Sequence, residues 1–204
     1  AAMASLQTQV DTGNVEWDAI TISTTDLGLG SAKGLFENLD GVVDPADFID
    51  GTVTDYAVGL DFSSNVLAWS TDEFGEGAGA PSSWEDFWDL KKFPGKRAVP
   101  SWGPDAQLFE FALLADGVDK DDLYPLDTER AFAKLGTIKD NVTWWSSGAQ
   151  SIESFENGSC DLGIVWANRA LTAAQNDFPI SVSWDQAGYA NSVWAIPADA
   201  PNPE

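Results

Sequence analysis

The nine residues Asp161-Leu-Gly-Ile-Val-Trp-Ala-Asn-Arg hold the side chains of this chain best suited to meeting a small molecule. An indole at Trp166 offers a wide apolar face, an amide at Asn168 a paired donor and acceptor, and a guanidinium at Arg169 a planar fork that matches a carboxylate. This is a set for binding, not for covalent chemistry. The chain has one cysteine, Cys160, and no histidine, which removes Ser-His and Cys-His catalysis, intramolecular disulfides and imidazole-based metal sites together. Cys160, beside an apolar run, reads as buried and inert. No metal ligand set and no cofactor motif is found.

The elements that must position these groups can be read around them. The apolar run 162–165 predicts a buried strand, and the Ala-rich stretch from Asn168 to Asn176 a helix. Trp166, Asn168 and Arg169 then stand at a strand's C-terminal end, where open α/β sheets hold their ligand crevices. The competing reading makes Trp166 a packing residue and Arg169 a solvated helix side chain.

The same grammar recurs along the chain. A helix is expected over residues 4–12 and a strand over 18–22, running into Ser23-Thr24-Thr25 before a Gly-spaced segment, 28–34. Residues 35–40 read as a helix end and 45–48 as a short helix. An apolar strand follows at 65–69, just after Ser63 and Ser64. Residues 71–83 turn to Gly, Pro, Ser and acids, the composition of a linker or exposed loop. Ser83 with Asp86 three residues on starts a helix that Phe93-Pro-Gly ends. Beyond it come a strand at 96–100, a helix at 106–115, a helix after Asp127 and a strand at 142–145 ending at Ser146-Ser147. A short helix at 151–158, a strand at 180–184 and a separate strand at 192–196 complete the pattern. Strands alternating with helices predict an α/β fold.

Composition excludes several classes of function. The 33 acidic and 10 basic side chains leave a formal charge of −23, which repels nucleic acid and anionic membrane surfaces. No window approaches the ~18 uncharged apolar residues of a membrane span, so a soluble domain is expected. At 204 residues the chain has room for one large domain or two small ones. Its start, Ala1-Ala-Met-Ala-Ser, has no basic region followed by an apolar core, so a secretory leader is expected to have been removed or to lie outside this chain. The sequons Asn141-Val-Thr and Asn157-Gly-Ser match glycosylation acceptors, a pattern frequent by chance.

Several phrases, in order, resemble a known family. Lys92-Phe-Pro-Gly-Lys-Arg, Leu108-Phe-Glu-Phe-Ala-Leu-Leu, Asp122-Leu-Tyr-Pro-Leu-Asp, Trp144-Trp-Ser-Ser-Gly-Ala-Gln, Leu162-Gly-Ile-Val-Trp and Ala195-Ile-Pro are similar to extracellular solute-binding proteins of the spermidine/putrescine-binding type, the receptors of ABC importers. The resemblance runs over essentially the whole chain. It implies a two-lobe periplasmic-binding-protein type II fold of α/β class, with lobes joined by crossing hinge strands, a ligand in the cleft between them, closure on binding, and a chain incomplete at both ends. Residues 1–70 and 188–204 would form a discontinuous, partial first lobe, and 71–187 the second. The partners implied are a small-molecule ligand and the membrane permease subunits of an ABC transporter; a monomer is expected, in the periplasm or outside the cell.

The candidate ligand contacts are Ser23, Thr24, Thr25, Ser63, Gln107, Ser147, Trp166, Arg169 and Ser192, of which the resemblance matches Ser23 and Ser147 by position to contact hydroxyls. Trp166 matches the tryptophan that packs on the ligand's alkyl chain. The departures lie where polyamine binders place carboxylates for the ammonium groups: here stand Pro104, Gln107 and Ser192, with Asp105 or Asp61 as substitutes, and Arg169 falls where putrescine-type relatives carry an acid. The expected ligand is a polyamine or related nitrogen-bearing compound, with a carboxylate or amino-acid-like solute on the same fold as the alternative. From another class, a carbohydrate-active enzyme would use tryptophan platforms and paired carboxylates, yet among 33 acids no specific pair stands out. A Trp-rich polypeptide-interaction domain is the third reading.

Overall fold

The computed structural model describes residues 2–102 and 106–203, so Pro104 and Asp105 lie outside the described residues. The chain divides into two compact units, one made of residues up to Phe62 and from Ala190 on, the other of Ser63–Tyr189. Both changeovers fall inside long strands, β3 (Ala57–Ser70) and β7 (Ile180–Ala195). The Gly/Pro-rich segment after Ser70 therefore lies wholly within the second unit, where it opens with the short helix α3 (Thr71–Phe74).

The first unit contains α1 (Ala2–Thr12), β1 (Ile20–Ser23), α2 (Thr24–Ser31) and β2 (Val53–Thr54). β1 pairs antiparallel with the end of β7, from Ile20 opposite Ala195 to Ser23 opposite Ser192. Its alternation buries Ile20 and Ile22 with Leu6, Leu27, Leu35, Phe36 and Val193. Residues 24–31 are helical despite Gly28 and Gly30, and Gly30 is needed because a Cβ there would strike the Phe36 ring. Residues 35–40 are not a helix end: Phe36 bridges Pro197 and the Glu37 amide donates to Ile196 O at 2.9 Å.

In the second unit the sheet runs β3, β6 (Leu162–Trp166), β4 (Arg97–Pro100), β5 (Val142–Trp145), with β7 the neighbour of β3 on its other side. β4, β5 and β6 are mutually parallel; β3 is antiparallel to β6. Helices cover both faces, as a parallel sheet requires. Leu67, Trp69, Val99, Leu162 and Ile164 pack on one side with α4 (Trp84–Trp88), α5 (Leu108–Ala115) and α6 (Thr128–Gly136). Val66, Ala68, Ala98, Trp145 and Val165 face α7 (Gly148–Glu156) and α8 (Ala167–Gln175). The period of two along β3 is what divides the two cores.

Residues 180–184 and 192–196 do not make separate strands. They lie on the single strand β7, which ends at Ala195 and passes through Gln186 at φ 57°. The polar Asp185-Gln186 pair reads locally as a turn, but tertiary hydrogen bonds hold it: Trp84 Nε1 donates to Gln186 O at 2.8 Å and Ser183 Oγ to Ser82 O at 2.8 Å.

The Phe-Pro-Gly-Lys-Arg phrase acquires a physical meaning. Arg97 is fully buried, and its guanidinium donates to the carbonyls of Phe87 (2.9 Å), Gly95 (2.8 Å) and Phe93. Burial lowers its pKa to about 10, against the opposing pull of Asp161 and Asp89. Asp161 accepts from the Lys96 amide at 3.2 Å, and Gly95, at φ 108°, leaves no room for a Cβ beside that carboxylate.

Candidate ligand-binding site

Because β4, β5 and β6 are parallel, the chain leaves all three at one edge of the second unit, through Ser101-Trp102, Ser146-Ser147 and 166–169. The antiparallel β3 brings Asn65 there too, opposite Trp166 in register. These four crossings gather side chains that are far apart in sequence.

Trp166 is half-buried at the end of β6. Its ring meets Trp102 at 5.6 Å and stands nearly perpendicular to Trp145 at 5.8 Å. Trp145 is itself buried, with Nε1 donating to Ile164 O at 3.1 Å, so Trp166 rests on a fixed partner. Gly148 lies beneath: a Cβ built there would come within 2.7 Å of Trp166 Cε3 and 2.8 Å of Arg169 Nε. Indole and guanidinium therefore pack side by side over bare backbone.

Arg169 is exposed in the first turn of α8. Among the described residues no carboxylate lies within 4 Å of it, and Asp161 is engaged at the opposite end of β6. Two helices begin at this edge. Ser147 caps α7, its Oγ accepting from the Gln150 amide at 3.3 Å; α8 follows Trp166 with no side-chain cap. Helix N-termini and a guanidinium both favour an anion.

Gln107 precedes α5 in the left-handed region, at φ 50°. Its Oε1 accepts from Asn65 Nδ2 at 2.6 Å and its Nε2 donates to Tyr189 O at 3.4 Å, so the amide is held at both ends. Ser63 is exposed on β3, two residues before the buried Asn65. Ser147, Trp166 and Arg169 thus form one cluster, to which Gln107 is connected through Asn65. In the first unit Ser23 and Ser192 face each other in the β1–β7 register. The Ser23 hydroxyl caps α2 by accepting from the Asp26 amide at 3.1 Å, and Thr24 and Thr25 are exposed at the start of that helix.

Reasoning along the sequence missed Asn65, Trp102, Trp145 and Gly148. Of these Trp102 and Gly148 carried a signal, each standing just beyond an expected strand, at 96–100 and 142–145.

The family of bacterial extracellular solute-binding proteins matches over residues 1–204. The chain belongs to this family. Solute-binding proteins are receptors and not enzymes, which sets aside the carbohydrate-active reading, and the fold is the mixed α/β one of periplasmic binding proteins. A solved GABA receptor superposes with a TM-score of 0.90 at 37% identity, covering 98% of this chain and 61% of the receptor. The γ-aminobutyric acid-binding protein of Pseudomonas aeruginosa is 35% identical over 207 residues, 98% of this chain and 57% of the relative. The spermidine/putrescine-binding periplasmic protein of Escherichia coli is 30% identical over 127 residues, 60% of this chain and 35% of that protein. The chain therefore spans less than two thirds of the length of each.

Proposed function

We propose that this chain is the ligand-binding part of an ABC-importer receptor working outside the cytoplasmic membrane, and that its solute is a small zwitterionic amino acid of the γ-aminobutyrate kind, delivered to the importer's permease subunits. Arg169 carries this reading: it is a guanidinium exposed beside Trp166, without a carboxylate partner among the described residues, at an edge where two helices begin. A solute carboxylate there gains charge-assisted hydrogen bonds, while its methylene chain lies against the indole. A bare diamine would meet like charge. Two relatives that match nearly the whole chain are described by their γ-aminobutyrate binding, whereas the polyamine binder matches a shorter part of it. Gln107, Ser147 and Ser63 are proposed as further contacts on the second unit, and Ser23, Thr24, Thr25 and Ser192 on the first.

Calorimetric titration with γ-aminobutyrate, other amino acids, small carboxylates, putrescine and spermidine tests this. Arg169→Ala should weaken amino-acid binding by about 1.5–3 kcal/mol, the range for a hydrogen bond to a charged group. Trp166→Ala should cost about 1–3 kcal/mol as a truncated aromatic anchor. Tight putrescine or spermidine binding that persists in Arg169→Ala would overturn the zwitterion and restore the polyamine.

A further inference from the structure

Away from Arg169, the second unit carries another concave surface, a groove of about 640 Å³ along the flank of α5. That volume falls within the range of small-molecule sites. Its floor is apolar, with Phe111 and Leu123 buried, and the rings of Tyr124 and Tyr189 rise beside it, 69% and 62% exposed.

The remaining wall is the bend of β7. At Gly188 a Cβ would lie 2.6 Å from both Gln107 Oε1 and Phe111 Cζ, so only glycine lets this backbone approach α5. Two residues earlier the Trp84 indole holds the Gln186 carbonyl. This wall is built, not draped.

Inside the groove Glu110 Oε1 accepts from the Tyr124 hydroxyl at 2.9 Å, which orients the carboxylate and leaves its other oxygen for a second donor. Burial, then Glu110 itself, raises the Tyr124 pKa above its ordinary value. Asp119 and Lys120 stand at the lip with opposite charges, and among the described residues no cation is within 4 Å of Glu110. A carboxylate in a groove with exposed tyrosine rings and an apolar floor suits an ammonium group with an aliphatic tail.

We propose that this groove, which adjoins the Arg169 cluster through Gln107, is a second binding site for a free aliphatic primary amine, with Glu110 as counter-ion and Tyr124 and Tyr189 flanking the cation. The site does not depend on which solute Arg169 selects.

The test is an amide NMR titration of the chain with n-butylammonium chloride at constant ionic strength. Saturable shifts are expected at Tyr124, Ala187 and Gly188. Affinity should fall at least tenfold in Glu110→Gln and a few-fold in Tyr124→Phe, which keeps the ring and loses the orienting hydroxyl. It should be unchanged in Glu129→Gln, an acid elsewhere on the surface, and in Arg169→Ala. Non-saturating shifts spread over many acidic residues, unchanged affinity in a folded Glu110→Gln, or loss in Arg169→Ala would each overturn the proposal, the last by placing the amine at the solute site.

Discussion

Asn65 and Gln107, 42 positions apart, are joined by a 2.6 Å hydrogen bond from Nδ2 to Oε1. Asn65 is buried on β3 opposite Trp166, and Gln107 sits in a left-handed conformation that costs a non-glycine residue free energy. Their pairing couples the strand that presents the indole to the residue that opens α5. A double-mutant cycle of Asn65→Ala and Gln107→Ala, read by urea unfolding, should return a coupling energy of about 0.5–3 kcal/mol, as for residues in direct contact. Additive losses would show that the two act separately.

Gly148→Ala is expected to reach the site without removing any of its functional groups. The new methyl would displace the Trp166 ring and the Arg169 guanidinium, both side chains able to move. Overpacking of this kind costs about 1–3 kcal/mol. Solute affinity should fall while far-UV circular dichroism is preserved, and the near-UV tryptophan signal should change because Trp166 packs on Trp102 and Trp145. Wild-type affinity in Gly148→Ala would mean that the indole and guanidinium have no part in binding.

Arg97→Met should be the most damaging single change away from the site. The methionine fills much of the space but leaves the carbonyls of Phe87, Phe93 and Gly95 without their buried donor. An unsatisfied buried polar group costs about 1–3 kcal/mol, and several are exposed to that cost here. Denaturant unfolding should show a lower midpoint with an unchanged slope. A loss smaller than about 1 kcal/mol would show that the loop between α4 and β4 finds other donors.

Net charge sets the response to salt. A charge of −23 repels itself over distances that salt shortens from about 30 Å at 0.01 M to about 3 Å at 1 M. The thermal midpoint should therefore climb as sodium chloride is added across that range. A flat or falling midpoint would contradict the dominance of self-repulsion.

Acid should remove one specific contribution. The Arg130 guanidinium, bonded to Asp116 at 2.6 Å, and Lys134 hold the Asp116 carboxyl below its ordinary 3.8. A depressed folded-state pKa stabilises the fold above the unfolded value, and that stabilisation disappears as pH falls through the folded one. The stability difference between the wild type and Asp116→Asn should be constant near neutrality, begin to shrink near pH 3.8 and vanish once the pH passes the lower folded-state value. A difference that persists in strong acid would assign it to something other than charge.

Local chemistry was legible in the sequence where cause and effect lie within a few residues. The apolar run of β6, the Ser83 cap and the period of α5 each depend on side chains one turn or one pleat apart, and the alternation of elements carried the α/β class with them. Trp166 and Arg169 could be placed at a strand's end for the same reason. Tertiary structure decided what depends on the register of distant strands. Asn65 reaches Gln107 only because β3 and β6 pair in one alignment, and Asp161 is far from Arg169 only because a five-residue strand separates the two ends of their shared segment. β7 stays continuous through Asp185-Gln186 because Trp84 and Ser82, roughly a hundred positions away, hold it there. Gly148 appears in the sequence only as a residue just past a strand's end; that it bears the indole and the guanidinium follows from where α7 and α8 emerge from the sheet. A hydrogen bond or a methyl-sized gap has no local signature when its other half comes from another element, and in this chain such contacts shape the candidate site.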